Sequence, residues 1–417
     1  MKMIGRLTFA AILSLSAAAA GAEQEPAKLP AWSDYLDSLR PIGDRLLPIT
    51  ASPNDAQERQ ETWRILMGTL AQGYIAHVYD NPENPEFITL FSPALNLFAP
   101  NPDYKYTWAP ISDKGVYRIT GTRGTVRFVE VSFLKGFYTL NGTDAPTVGR
   151  LDLDTLKLDS DGAFSFILSA KRPDGYAGDW QALPIGANNI LVRSASYDWV
   201  RERDARFAIE RLDGPVSAPR PTAEELSRRL AELATWVEQG TKTPLDRVAA
   251  LIKSGRINKD LMARNDTANG GVIGQTYIEG MFRLNDDEAL ILETEIPKTC
   301  RYWGILVTDD QFITIDWMNR QSSLNGFQAH LDSDGKFRAV IANKDPGVPN
   351  WLDAGGHHFG GIQGRWTRCS SDPIPTTRKV LLSEVRKYLP KDTPHVSPAQ
   401  RLETLQARRR ADQLRRQ

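Results

Sequence analysis

The chain has 417 residues, with 51 Lys+Arg against 51 Asp+Glu, so its formal net charge is zero. That balance excludes recognition of a polyanion through bulk charge, and no nucleic-acid partner is expected. The length allows two domains of ordinary size, and ten tryptophans and twelve tyrosines offer large surfaces for a core or for stacking on a ligand.

Residues 1–22 read as a signal peptide. Lys2 and Arg6 precede an apolar run, and Ala20-Gly21-Ala22 is a small-residue cleavage site. The run is too short to span a bilayer, and no other stretch approaches the length required. The expectation is a periplasmic or secreted bacterial protein without a transmembrane anchor. Residues 23–114 read as an N-terminal helical and irregular cap. Up to residue 52 it looks extended or irregular. Ser52-Pro53-Asn54-Asp55 then suits a helix start, with Ser52 as N-cap and Pro53 in the first turn. Trp63, Leu66, Met67, Leu70 and Tyr74 recur at helical spacing, which predicts a face docked on a sheet. His77, on the same helix, reads as a structural histidine.

At Gly115 the hydrophobic period changes to two, and residues 115–214 read as a first β module. Residues 215–262 read as a proline-rich linker and helical connector. One helix is opened by Thr222 and Glu225 as a capping box, and a second by Thr243-Pro244. Residues 263–372 read as a second β module, bracketed by Cys300 and Cys369. In an oxidising compartment these form a disulfide; the alternative is two buried thiols. Residues 373–417 read as a helical tail rich in arginine, suited either to contact with an anionic envelope surface or to a solvated terminus.

The chain is organised around the stretch 311–369. A strand is expected from Phe312 to near Trp317, a polar loop over 320–326, and a short strand over 327–331. Asp332-Ser333-Asp334-Gly335 signals a hairpin into a strand at Phe337. Two prolines and a glycine make 345–351 irregular. An internal echo accompanies this stretch. Asp159-Ser160-Asp161-Gly162-Ala163-Phe164, Trp180 and Arg193 follow one another much as Asp332-Ser333-Asp334-Gly335-Lys336-Phe337, Trp351 and Arg365 do. A weaker echo pairs Tyr117-Arg118-Ile119 with Phe282-Arg283-Leu284. Repetition implies two similar modules with a natural ligand cleft between them.

No nucleophile elbow, zinc-protease helix, P-loop or dinucleotide fingerprint is present. No metal or cofactor is expected. His357 and His358 are adjacent and would point apart on a strand, and Asp332 and Asp334 lack the remaining ligands of a calcium loop. Asp316, Asp345 and His357 are the candidate catalytic residues, since carboxylates across a cleft can divide acid and base roles and a histidine can transfer protons. The alternative for the aspartates is capping of loop amides. Arg320, Gln321, Asn325, Asn350, Trp351, Asp353 and Arg365 are candidate ligand contacts in the second module, and Arg193, Tyr197 and Trp199 in the first. Their donors and rings suit a hydroxylated or carboxylated ligand.

Tyr302-Trp303, the run from Arg320 to Asn325, Asp332 to Gly335, Asp345 to Asp353 and Arg365-Trp366 together resemble the family named domain of unknown function 1214, in its exported bacterial members. Asn101-Pro102-Asp103, Trp108-Ala109-Pro110 and the run from Leu191 to Trp199 extend the resemblance upstream. It implies an antiparallel β-sandwich or jelly-roll-like fold and no established activity. The fold class expected is therefore α+β, mainly β: two related antiparallel sandwiches with an N-terminal helical cap and a helical connector. The function expected is binding or processing of a carbohydrate-like or other polar organic ligand, such as a glycan, in a cleft of the second module. The alternatives are a non-catalytic envelope protein using its basic tail, or an enzyme acting on an apolar ring or polymer.

Overall fold

The computed structural model describes residues 29–46, 50, 52, 54–136, 146–267 and 270–415; the expected signal peptide lies outside the described residues. The first module contains β1 (Ile88–Phe91), β2 (Tyr104–Pro110), β3 (Tyr117–Thr122), β4 (Phe128–Leu134), β5 (Thr147–Asp152), β6 (Ala163–Ser169), β7 (Asp179–Ala182), β8 (Asn189–Ala195) and β9 (Arg206–Arg211). The second contains β10 (Met262–Asn265), β11 (Gln275–Arg283), β12 (Glu288–Thr294), β13 (Cys300–Thr308), β14 (Ser323–Asn325), β15 (Phe337–Ala342), β16 (Trp351–Asp353), β17 (Phe359–Cys369) and β18 (Thr376–Leu381). Each module is a five-stranded sheet packed on a four-stranded one.

The strand orders repeat. The five-stranded sheets run β1-β2-β8-β4-β5 and β10-β11-β17-β13-β14; the four-stranded sheets run β7-β6-β3-β9 and β16-β15-β12-β18. Each four-stranded sheet holds one parallel pair, β6 with β7 and β15 with β16, so the expected purely antiparallel pattern is broken once per module. Trp180 lies opposite Ile167 and Trp351 opposite Val340, the same position in the two copies. Arg193 on β8 and Arg365 on β17 are also equivalent. The weaker echo is not: Tyr117 lies on β3, whose counterpart is β12, whereas Phe282 lies on β11. Apolar residues alternate inward from both sheets to form one core per module, around Phe133 and Phe166 in the first and Phe282 and Phe337 in the second.

The boundaries move accordingly. β1 and β2, expected in the cap, belong to the first module, and β18, expected in the tail, pairs with β12 of the second. Residues expected to be irregular form α1 (Trp32–Leu46), which buries Ile42 and Leu46. α2 (Ala56–Gly73) is capped by Asp55, whose side chain accepts from the Gln57 and Glu58 amides, and not by Ser52. Its most buried face is largely polar: Glu58, Thr62, Thr69 and Gln72 face inward with Ile65; Leu66 and Leu70 of the expected stripe pack partly on the core, and Trp63 is 64% and Met67 54% exposed. The reason is the partner surface. Gln72 donates to the Leu90 carbonyl of β1 and Thr62 to Gln311, so α2 docks on a strand and a loop that offer polar groups. The two expected connector helices form a single α3 (Ala223–Lys253) that carries Pro244. It stays together because it is packed against α2. A Cβ at Gly73 would overlap Trp236, and Gly240 abuts Thr69. His77 is buried against Trp236, and burial lowers its pKa to about 4.

In the organising stretch, strand and loop exchange places. Residues 309–322 form a loop, in which Phe312 has φ 63°, and the strand β14 falls within the expected polar loop. The hairpin turn at 332–335 is present, with Gly335 at φ 77°. Cys300 and Cys369 face each other across β13 and β17 and are joined as a disulfide.

The tail is neither frayed nor free. α4 (Pro398–Arg415) turns Arg401, Arg408 and Arg415, spaced by seven, onto the second module and the junction. Arg408 donates to the Trp317 carbonyl and to Ser323, and its guanidinium lies 4.3 Å from the Trp199 ring centre. Burial lowers its pKa to about 10. Among the described residues no helix is long and apolar enough to cross a membrane.

Arg408→Ala should destabilise the protein by about 2–4 kcal/mol, because two buried acceptors lose their donor. Arg409→Ala, on the exposed face, should change stability by less than about 0.5 kcal/mol. Urea midpoints of the two variants test the difference. Thiol labelling of unfolded, unreduced protein should find no reactive cysteine, and reduction should lower stability by up to about 4 kcal/mol, the chain-entropy value for a loop of this size.

Candidate functional site

The duplicated five-stranded sheets and α3 enclose a cavity of about 410 Å³, within the range of ligand pockets. β2 contributes Tyr104 and Tyr106, and β8 contributes Arg193. From the second module come Arg264 on β10, Tyr277 on β11, and Gln363 and Arg365 on β17. α3 contributes Pro244 and Arg247. The duplication is visible in the wall itself. Tyr106 lies opposite Arg193 in the β2/β8 register, as Tyr277 lies opposite Arg365 in β11/β17. Each guanidinium sits over its tyrosine, 5.9 Å and 5.5 Å from the ring centres.

Two strained loops close the cavity. Phe98, Ala99 and Phe312 line it and have φ of 63°, 48° and 63°. They are three of the five non-glycine residues in the left-handed region among those described. The loops are pinned together by the Ala99 amide, which donates to the Phe312 carbonyl at 2.9 Å. Strain of this kind collects where a wall must hold a set shape.

Charge in the cavity is unevenly answered. Arg264 pairs with Asp266 and with the fully buried Glu279, which Arg247 also contacts. Burial, then the neighbouring Arg264, lowers the Arg247 pKa to about 10. Asp246 is turned to Lys242. Arg365 is only 5% exposed and has no carboxylate partner among the described residues. One of its nitrogens donates to the Ala99 carbonyl at 3.0 Å and to Gln363.

A second cavity, of about 700 Å³, lies between α2 and the loops of the second module. It holds His357, Asp316 and Arg320 on its wall. His357 Nδ1 is 2.9 Å from Glu58 Oε1. Burial lowers the His357 pKa, but the Glu58 hydrogen bond and the Asp309 charge outweigh it and leave the pKa raised. Burial raises Asp309 to about 7; burial and then Glu58 raise Asp310 to about 9. Burial also opposes ionisation of Glu58, but its bonds with His357 and Asp310 prevail and its pKa is lowered.

The sequence candidates thus separate. Arg193 and Arg365 share the first cavity. Asp316, Arg320 and His357 share the second, though Asp316 holds Asn319 and Arg320 holds Asp353. Asp345 is not with them: it accepts from the Gly347 amide and from Arg401 of α4. Gln321 donates to the Pro349 and Trp351 carbonyls, Asn350 to those of His330 and Arg338, and Trp351 to that of Ala342. These bonds make 345–353 a stapled segment instead of a pocket wall. Asn325 and Trp199 both donate to the buried Asp103, and the Tyr197 hydroxyl accepts from the Trp303 amide. Tyr106, Tyr277, Arg247, Arg264 and Glu58 went unread. The register around Arg193 and Arg365 would have exposed the two tyrosines; nothing in α2 flags Glu58, because its partners lie far along the chain.

Residues 283–362, within the second module, match the family described as "Protein of unknown function (DUF1214)". An uncharacterised protein from Burkholderia cenocepacia, known from its crystal structure, is similar over 85% of this chain and 97% of its own, at 29% identity and a TM-score of 0.79. The VPA0106 protein of Vibrio parahaemolyticus covers 76% of this chain and 97% of its own, at 13% identity and a TM-score of 0.44. A comparison with curated proteins returns no match.

Raised folded-state pKa values at Asp309, Asp310 and His357 contribute stability that is present at low pH and lost as pH rises through them; lowered Glu58 acts in the opposite sense, at the acid end. Stability should therefore fall from about pH 5 to about pH 9. Asp310→Asn, neutral throughout, should melt higher than wild type at pH 7–9, with the difference vanishing towards about pH 4. Melting curves across that range check both signs.

Proposed function

We propose that this chain, with its DUF1214 second module, is an exported protein that binds a small organic carboxylate, preferably one bearing a flat apolar ring, in the cavity between its two modules. The observation that carries this reading is Arg365: a buried cation on a cavity wall, bonded to neutral oxygens, with no carboxylate partner among the described residues. A buried guanidinium without a counterion is costly, and a ligand carboxylate can supply one with paired hydrogen bonds. Tyr104, Tyr106 and Tyr277 provide flat walls beside it. This keeps the polar organic ligand of the sequence reading and moves its site from the second module to the junction.

Thermal-shift titration with aromatic carboxylates, their neutral amides and oligosaccharides tests it. The carboxylates should raise the melting temperature and the amides should not. Arg365→Gln should weaken carboxylate binding by about 10- to 100-fold, the equivalent of one charge-assisted bond. Equal stabilisation by amides or oligosaccharides would remove the basis for a carboxylate ligand.

A further inference from the structure

We propose that the second cavity is a separate acid–base site, where His357, held by Glu58, activates a water molecule against a small carboxylic ester. This does not rest on the carboxylate reading of the first cavity.

The backbone is shaped to deliver this histidine. Gly355 and Gly356 have φ of 66° and 93°, and a Cβ at Gly355 would lie 2.8 Å from the Ile315 side chain. The chain can therefore reverse only with glycine there, which turns the imidazole onto α2. Asn343 secures the turn, accepting from the Gly356 amide and donating to the His357 carbonyl. With Glu58 ionised, the 2.9 Å contact places the proton on Nδ1. In the neutral imidazole Nε2 then carries the lone pair, and it has no partner among the described residues. Gln311 holds the orienting acid, donating to the Glu58 backbone carbonyl at 2.8 Å and to its carboxylate at 3.5 Å, and Thr62 donates to Gln311. A base oriented through its far nitrogen by a buried carboxylate is the arrangement general-base chemistry needs.

The wall also indicates the nucleophile. Among the described residues it contains no serine or cysteine, and its one threonine, Thr314, donates to the Pro100 carbonyl. Water is left as the attacking group. Arg64, paired with Glu61, and Arg320, paired with Asp353, present exposed guanidinium groups to a polar acyl group, beside the apolar Ile65 and Met318. In the step, His357 Nε2 takes a proton from water as the water oxygen bonds to the ester carbon and the carbonyl π pair moves to oxygen. The oxyanion pair then re-forms the carbonyl as the bond to the alkoxide oxygen breaks, and the imidazolium gives that proton to the leaving alkoxide. Acid and alcohol leave, and the protein is unchanged.

The charged groups facing His357 are Glu58 and Glu61 from α2 and Asp309 from the loop after β13; Arg64 and Arg320 share the same cavity. The test is hydrolysis of 4-nitrophenyl acetate and of a mono-ester of a dicarboxylic acid by the full chain. The rate should rise with pH as His357 loses its proton. His357→Gln should lower it by about 100-fold or more. Glu58→Gln should shift the rising limb to lower pH, a change that mere loss of packing does not produce. Should His357→Gln fail to fold, Gly68→Phe decides: Gly68 lines the cavity and a Cβ there would meet nothing nearer than the Leu97 side chain at 3.8 Å, so a ring can be placed in the space without touching the Glu58–His357 pair. Loss of turnover in that variant supports the site. Wild-type hydrolysis no faster than buffer, or hydrolysis unchanged in a folded His357→Gln or Gly68→Phe variant, overturns it.

Discussion

The structure depends on one buried carboxylate. Asp103, 1% exposed, accepts from the Tyr302 hydroxyl at 2.6 Å, from Asn325 at 2.7 Å and from the Trp199 indole at 2.8 Å. Its backbone carbonyl accepts from Ser196 and from Arg415 of α4. First and second modules thus meet on its carboxylate, and the tail helix reaches its backbone. Burial pushes its carboxyl pKa up, against the hydrogen bonds from Tyr302 and Asn325 that pull it down. A buried carboxylate is tolerable only when its lone pairs are filled, so the two modules must be in place together. Around it Tyr302 packs on Tyr104, which donates to Gln275 of the second module. This cluster sets how the two five-stranded sheets face each other, and so the shape of the space between them.

Both cavities follow from that constraint. The loop 309–320 puts Phe312 on the wall of the first and Asp309 and 313–320 on the wall of the second. The loop before β2 is shared in the same way, with Pro93 and Asn96 on one side and 98–100 on the other. The left-handed residues Phe98, Ala99 and Phe312 lie where these shared loops cross. Their strain is held by packing from two directions, which a loop serving one pocket would not require.

Much of this was legible in the sequence for a definite reason. Period-two alternation, turn signals and the repeated Asp-Ser-Asp-Gly, Trp and Arg are local, and they located both modules and the duplication. What failed was decided by distant partners. The apolar stripe of α2 suggested burial, but Thr62 and Gln72 had carbonyl and amide partners waiting, and a largely polar side went in deepest. Arg401, Arg408 and Arg415 looked like a solvated or surface-seeking tail; the aromatic rings and carbonyls they cover are up to hundreds of residues upstream. Asp345, Asn350 and Trp351 looked like a ligand loop because polar residues around prolines resemble a site. Here they cap and staple their own segment. Arg193 and Arg365 could be read because the duplication repeats them.

The account rests most heavily on the junction cavity being an anion site organised by Arg365. A crystal structure of the protein grown with an aromatic carboxylate tests this directly. The account predicts the ligand carboxylate within hydrogen-bond distance of the Arg365 guanidinium, with its ring against Tyr277 or Tyr106. A ligand bound elsewhere, or seated in the cavity with its carboxylate turned away from Arg365, would contradict it.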